Sequence, residues 1–145
     1  MAYWRLHYHV VWTTYRREPL IDSACEALIH QTLYGKAKEL SILIHAVGNV
    51  EDHIHVVASI PPKVSIADCV GQFKGASSHR VNQGSRQGTF QWQGGCGALS
   101  LGERSLETVI AYVRNQPAHH RTGRAVALYE RCTEEDDGVK LTSEA

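Results

Sequence analysis

The sequence lacks several features that would assign the protein to a specialised class. No apolar run approaches the roughly 18 to 20 residues that span a bilayer, and the opening MAYWRLHYHVVW lacks the basic-then-apolar build of a signal peptide. The four cysteines, Cys25, Cys69, Cys96 and Cys132, form no C-x-x-C pair. Neither a zinc ribbon nor a disulfide framework is therefore indicated. These absences predict a cytoplasmic protein with free thiols.

An excess of charge of one sign is also missing, because 15 basic and 15 acidic residues balance in the 145-residue chain. The distribution is nevertheless uneven: residues 130–145 hold six acids against two bases, and residues 53–128 hold eight bases against three acids. A basic body is compatible with a phosphate-bearing partner, although a solvated mixed surface gives the same pattern. We predict one domain over residues 1–128 and a flexible acidic tail over 129–145.

Hydrophobic periodicity gives the order of the secondary-structure elements. The predicted elements are a strand over 3–14, a helix from a cap at Asp22 or Ser23 to residue 40, strands over 41–47 and 53–60, a helix from a cap at Ser65 to residue 82, a short strand near 89–92 that residues 98–101 extend or pair with, and a helix over 106–116 capped by Ser105. This order predicts an α+β fold with a ferredoxin-like β-α-β-β-α-β antiparallel sheet and an added C-terminal helix. The first and third strands are then central, and the first two helices share one face.

Histidines recur on two of the predicted strands. Strand alternation places His53 and His55 together on one face, opposite the aliphatic residues of EDHIHVVASI. His7 and His9 share a face of the first strand in the same way, and His45 could join them. Imidazole is a common metal ligand, but paired histidines also occur as hydrogen-bonded polar residues of a sheet. Periodicity alone does not choose between these readings, nor between the two pairs.

The last predicted helix carries a stripe of residues at helical spacing in VIAYVRNQPAHH. Tyr112 and Gln116 lie one turn apart on this stripe. An amphipathic helix that packs its tyrosine and keeps glutamine at its polar edge gives the same spacing. The helix therefore adds a reactive phenol and an amide without assigning them a role.

Five ordered segments together carry a resemblance to a known family. They are YHVVWTTYRREPL, GNVEDHIHVVASIPP, IADCVGQFKGASSHRVN, FQWQGGCGALSL and VIAYVRNQPAHH, which cover nearly everything from Tyr8 to His120. The chain resembles the single-tyrosine HUH transposases of small bacterial insertion sequences, a family that includes the REP-associated tyrosine transposases. The resemblance implies a transposase that cleaves and rejoins single-stranded DNA through a 5′-phosphotyrosine intermediate, with a divalent metal and without ATP.

The resemblance also implies roles for individual residues. His53 and His55 are the expected metal ligands, Gln116 the third ligand and Tyr112 the nucleophile, with Mg²⁺ or Mn²⁺ as the ion. The implied substrate is single-stranded DNA with hairpin ends, and the implied assembly is a homodimer in which the tyrosine helix of one subunit completes the histidine site of the other. The candidate DNA contacts are basic side chains that could equally form a solvated surface: Arg16, Arg17, Lys74, His79 and Arg80.

Two departures and two alternatives accompany this interpretation. Relatives often have tyrosine at the position of Cys96, and Pro117 directly after Gln116 could alter how the helix is held. A non-enzymatic ferredoxin-like module that stacks bases on sheet aromatics is one alternative, but Tyr8 and Trp12 fall on the face opposite the histidines. The other is a domesticated relative acting at genomic repeats, which the sequence does not distinguish from a mobile element's transposase.

Overall fold

A computed structural model describes residues 3–84, 88–117 and 126–132. Its strands are β1 (His7–Thr13), β2 (Leu43–Asn49), β3 (His53–Ser59) and β4 (Gly97–Leu101). Its helices are α1 (Ser23–Glu39), α2 (Ile66–Gln83), α3 (Glu103–Arg114) and the short α4 (Ala127–Glu130). A 3₁₀ turn over Tyr15–Arg17 follows β1.

The four strands form one antiparallel sheet in the order β2-β3-β1-β4. The predicted fold class is confirmed, with the first and third strands at the centre. Asp22 caps α1 by accepting a hydrogen bond from the Cys25 N–H at 2.9 Å, and Ser65 caps α2 by accepting from the Asp68 N–H at 3.0 Å. Each cap lies where the sequence predicts it.

The two faces of the sheet have different coverings. A large core lies on the α1 and α2 face, where Trp12 and Phe73 are fully buried with their ring centroids 6.4 Å apart. A smaller cluster lies under α3 and contains Ala46, Val57 and Val109. Because Trp12 is buried beneath helices, it is not a platform on which a base could stack, which leaves the sheet-stacking alternative without support.

The predicted strand near residues 89–92 is wrong. In this segment only Trp92 forms a bridge, to Thr14, while residues 97–101 pair with β1. The Asn82 amide explains the difference, since its oxygen accepts from the Phe90 N–H and its nitrogen donates to the Phe90 carbonyl, both at 2.9 Å. The backbone groups of Phe90 that a strand neighbour would use are thus bonded to a side chain of α2.

Helix α3 begins two residues before the predicted cap at Ser105, with Gly102 at the N-cap position. Its first residue, Glu103, is bound by the Arg5 guanidinium at 2.9 Å and by His7 Nε2 at 2.9 Å. An acidic residue in the first turn also suits the helix dipole. The N-terminus of α3 is therefore tied to β1 by charge rather than by a serine cap.

All four cysteines are free thiols, and burial raises the pKa of Cys69 to about 12. Among the described residues, no helix has the length and apolar character that a membrane crossing requires. The predicted acidic tail starts at residue 129, yet Tyr129 and Glu130 lie in α4 against the sheet; residues 133–145 are outside the described part.

Candidate active site

Five histidines gather on the face of the sheet that α3 covers. His9 Nε2 lies 2.7 Å from His55 Nδ1, and the two rings stack with centroids 5.0 Å apart. His7 Nδ1 and His45 Nε2 each lie 2.6 Å from the hydroxyl of Ser59. The expectation that several histidines share this face is met, and His7 and His9 are linked to different partners within the cluster.

His53 and His55 come together because they are alternate residues of the central strand β3. Their ring centroids are 5.1 Å apart, and His55 is fully buried while His53 is 4% exposed. His53 Nδ1 lies 2.6 Å from Asp52 Oδ1. The Nδ1 atom of each imidazole is thus bonded within the protein, to Asp52 or to His9, which orients both Nε2 atoms toward a common position.

That common position is occupied by a carboxylate that sequence reasoning missed. Glu130 Oε2 lies 2.7 Å from His55 Nε2 and 3.2 Å from His53 Nε2. The sequence places Glu130 among six acids near the C-terminus, and a four-residue helix gives no periodic signal. The adjacent Tyr129, the aromatic residue at the start of the predicted tail, is the one feature that suggests packing there.

Tyr112 projects from α3 onto the same carboxylate. Its hydroxyl donates to Glu130 Oε1 at 2.8 Å and accepts from the Val126 N–H at 2.9 Å. Its ring packs edge-on against His55, with centroids 6.1 Å apart. The phenol and both histidines are therefore joined through the two oxygens of one side chain.

Gln116 lies just beyond the end of α3 and is fully buried. Its amide lies near enough to the Tyr112 phenol to act on the pKa of that group, which it lowers. The structure thus brings Tyr112 and Gln116 together, as their helical spacing predicts, whereas the side chain that reaches the Nε2 atoms of both histidines is that of Glu130.

Burial and charge set the protonation of the site. Burial lowers the pKa of His9 to about 3, with help from the neighbouring His55, so His9 is neutral. Burial alone would lower the pKa of His53 too, but the carboxylates of Glu130 and Asp52 outweigh it and raise that pKa. Burial opposes ionisation of Glu130, yet hydrogen bonds from the two histidines hold its pKa well below its usual range.

The nucleophilicity of Tyr112 is reduced in this arrangement. Burial raises the pKa of its phenol, and the Glu130 carboxylate adds to the rise, while the Val126 N–H and Gln116 act in the opposite direction. The phenolate, which is the reactive form, is thus disfavoured.

The donor set at the histidine pair fits a divalent metal ion. His53, His55 and Glu130 each offer one ligand atom, and these atoms lie within 4.8 Å of one another. Metal-binding histidines usually donate their second ring N–H to a carboxylate or another polar group, as His53 does to Asp52. Two imidazoles and a carboxylate can therefore hold an ion without rearrangement of the strand.

Three of the five candidate DNA contacts lie on the other side of the sheet from this site. Lys74, His79 and Arg80 belong to α2, which packs on the opposite face of the sheet. Lys74 Nζ donates to the carbonyls of Gln93 at 2.9 Å and Gly95 at 2.6 Å, so it stabilises the loop before β4.

Arg16 and Arg17 lie at the exposed turn after β1, both with positive φ, and the Arg16 guanidinium lies 5.1 Å from the centre of the Tyr15 ring. The structure therefore brings Tyr112 to the histidine pair, and it places Lys74, His79 and Arg80 on the other face of the sheet.

Comparison with known proteins gives the family. A model of the family described as "Transposase IS200 like" matches residues 2–116 of this chain. The chain belongs to the IS200-like transposases. Membership identifies it as a transposase, and thus as a DNA-cleaving enzyme.

Individual relatives agree with this assignment. The ISDra2 transposase TnpA of Deinococcus radiodurans is 25% identical over 120 residues, which are 78% of this chain and 85% of that protein. A solved structure of a Deinococcus radiodurans protein assigned as a transposase has a TM-score of 0.63 at 21% identity and covers 88% of this chain and 97% of its own. The structure of the REP-associated tyrosine transposase bound to a REP hairpin has a TM-score of 0.64 at 12% identity. It covers 86% of this chain and 76% of its own. The two structures support the fold of this IS200-like transposase.

Proposed function

We propose that this IS200-like transposase cleaves and rejoins single-stranded DNA at insertion-sequence ends, with Tyr112 as the nucleophile. The main supporting observation is that Glu130 contacts the Tyr112 hydroxyl with one carboxylate oxygen and the imidazoles of His53 and His55 with the other. A phenol held beside two imidazoles that share one acceptor is suited to attack on a phosphate diester that occupies the acceptor's place.

The proposed cofactor is a divalent ion, Mg²⁺ or Mn²⁺. His53 and His55 would hold it, with an oxygen ligand from Gln116 or Glu130. When bound, such an ion neutralises charge on the non-bridging oxygens of a scissile phosphate. A harder ion suits the oxygen donors and the phosphate, although two imidazoles alone also suit softer metals.

The chain's own residues position the reaction. Asp52 and His9 orient the imidazoles through Nδ1, and the buried packing of α3 aims the Tyr112 oxygen at the same point. The phenol oxygen forms a bond to phosphorus while the bond to the 3′-oxygen breaks, and the released 3′-oxygen takes up a proton. A different 3′-hydroxyl reverses these steps and joins a new strand, so no nucleotide hydrolysis is required.

The partners belong to the proposal as well. We extend to this chain the hairpin binding stated for the REP-associated transposase, so the substrate is single-stranded DNA with hairpin ends. A homodimer with exchanged tyrosine helices is the assembly that the family resemblance implies. In the described structure, the Tyr112 ring contacts His55 of its own chain, so a site completed in cis is the competing arrangement. Whether the protein mobilises its own gene or is domesticated is decided by the neighbouring DNA.

A covalent-adduct assay tests the proposal. Single-stranded oligonucleotides that tile the DNA flanking the gene are incubated with the protein and Mn²⁺, and a DNA-linked band is sought on a denaturing gel. Tyr112→Phe should abolish the band and preserve oligonucleotide binding, because it removes only the attacking oxygen. The matched control is Tyr34→Phe, a half-exposed tyrosine of α1, which should keep the band. An adduct formed by Tyr112→Phe rules out Tyr112 as the nucleophile.

A further inference from the structure

A third histidine, His9, lies directly behind one of the two proposed metal ligands. It belongs to the central strand β1, where it pairs with Val57 on one side and Leu99 on the other. Its side chain is 1% exposed, and the Tyr129 ring packs edge-on against it, with centroids 5.6 Å apart. Its Nε2 atom lies 2.7 Å from His55 Nδ1, and the two ring planes are 4° apart. His9 is therefore fixed against the side of His55 that faces away from the proposed ion.

The contact between His9 and His55 holds a single proton. A hydrogen bond between two imidazole nitrogens needs one donor and one acceptor. If the proton is on His9 Nε2, a neutral His55 carries its own proton on Nε2, where it blocks a metal ion. If the proton is on His55 Nδ1, the Nε2 atom of His55 presents a lone pair to the ion. Metal binding by His55 thus requires His9 to accept through its own Nε2.

The other proposed ligand, His53, does not depend on a neighbouring ring in this way. Its Nδ1 lies 2.6 Å from the Asp52 carboxylate, which only accepts hydrogen bonds when it is ionised. A charged group therefore places the proton of His53 on Nδ1, whereas the proton of His55 is placed by a ring that can either donate or accept. Because the His55 side chain is fully buried, solvent offers no substitute for His9.

We infer that His9 is a positioning residue of the metal site, which holds the proton of His55 on Nδ1 and so keeps Nε2 available to a divalent ion. The inference rests on the proposed function, since it takes His53 and His55 as ligands of that ion. The alternative is that His9 only fills space between the sheet and Tyr129. An aliphatic side chain of similar size can replace a residue that fills space, but it cannot replace a hydrogen-bond acceptor.

Three variants of the full chain separate these two roles. His9→Leu removes the acceptor and keeps a buried side chain of similar size, and His9→Gln restores an acceptor through its amide oxygen. The matched control, His7→Leu, removes another buried histidine of β1, whose Nδ1 is bonded to Ser59 instead. All three are compared with the unmodified protein in the binding of Mn²⁺ alone, without DNA, by calorimetry.

His9→Leu should weaken Mn²⁺ binding by about 10- to 100-fold, the usual effect of losing the hydrogen-bond partner of a metal-binding histidine. His9→Gln and His7→Leu should bind Mn²⁺ as the unmodified protein does. In the adduct assay, His9→Leu should need correspondingly more Mn²⁺ for its half-maximal rate, while its maximal rate stays unchanged. Proton–nitrogen correlation spectra of the imidazoles, recorded on the unmodified protein in saturating Mg²⁺, should show the His55 proton on Nδ1.

Several results would overturn the inference. One is an unchanged Mn²⁺ affinity in His9→Leu, and another is an equal loss in His7→Leu, which would indicate a general loss of packing. A His9→Gln variant as weak as His9→Leu would show that the acceptor is not what matters. A His55 proton on Nε2 in saturating Mg²⁺ would contradict the proposed direction of the hydrogen bond, and this spectrum decides alone if thermal melting shows that His9→Leu is unfolded.

Failure of the proposed function is a separate result. If the unmodified protein binds Mn²⁺ but forms no adduct, DNA cleavage fails for these oligonucleotides, and calorimetry still decides the role of His9. If the unmodified protein binds no Mn²⁺, the proposed ion and the inference about His9 both fall.

Discussion

His53 and His7 look equivalent in sequence, but their side chains have different neighbours. His53 is linked to Asp52 and Glu130, next to the nucleophile, whereas His7 is linked to Ser59 and Glu103 at the start of α3. Each is buried, so loss of either leaves a polar partner unsatisfied. Removing either imidazole should therefore cost similar stability, but only the removal of His53 should affect cleavage of DNA.

His53→Ala is expected to abolish Mn²⁺-dependent adduct formation, because it removes one of two imidazoles at the proposed ion. His7→Ala is expected to retain it. Both substitutions should lower the free energy of unfolding by about 1–3 kcal/mol, the usual cost of an orphaned buried hydrogen-bond partner. Adduct yield and urea denaturation measure the two effects separately. Cleavage lost in His7→Ala and kept in His53→Ala would move the active site to the first strand.

Helix α3 depends on a glycine in the neighbouring strand β2. A Cβ added to Gly48 would lie 1.8 Å from the Val113 carbonyl oxygen, so the helix backbone rests directly on the strand. Val113 follows Tyr112, and both are buried in the cluster under α3. The position of the nucleophile is thus set by a contact that only glycine permits.

Gly48→Ala should shift α3 and lower the free energy of unfolding by about 1–3 kcal/mol, the usual range for overpacking. Adduct formation should fall, since Tyr112 moves with the helix. Gly71→Ala in α2 is the control: its Cβ meets nothing within 4 Å, and alanine there should stabilise the helix by about 0.5–1 kcal/mol. Chemical denaturation and the adduct gel report both effects. Full adduct formation by Gly48→Ala would show that the position of Tyr112 does not depend on the close contact between Gly48 and α3.

The elements show what periodicity can and cannot predict. Strands β1, β2 and β3 follow from their β-rich segments, helices α1 and α2 from their caps, and α3 from its stripe of residues at helical spacing. The segment at residues 89–92 is extended and apolar enough to predict a strand, but the Asn82 side chain takes the bonds of Phe90. The side chain that prevents strand pairing there belongs to helix α2, so the pattern of residues 89–92 alone does not reveal it.

The candidate site likewise contains residues that sequence spacing predicts and one residue that it does not. Strand spacing puts His53 and His55 on one face, and helix spacing puts Tyr112 beside Gln116. Neither spacing brings the strand to the helix; the family resemblance implied that pairing. Glu130 lies on a four-residue helix, where one acid among six has no periodicity to distinguish it. Its contact with the histidines arises from tertiary packing alone.

The assembly of the whole molecule is open to a quantitative test. Within one chain, Arg5 ties the start of α3 to β1, and Gly102 is the single residue between β4 and α3. These contacts favour a site completed in cis, whereas the family resemblance implies a dimer in which α3 serves the partner's histidines. The two arrangements differ in which chain's histidines the Tyr112 helix α3 serves.

Mixing the inactive His53→Ala and Tyr112→Phe variants measures this difference. In an exchanged dimer, a mixed pair holds one site with both imidazoles and the phenol. Random pairing at equal amounts should then restore about a quarter of the wild-type adduct yield. Mixing two preparations of Tyr112→Phe is the control and should restore none. In a cis assembly every chain lacks one essential group of its own site, so the mixture should stay inactive at all protein concentrations. That result would assign the catalytic unit to the single chain.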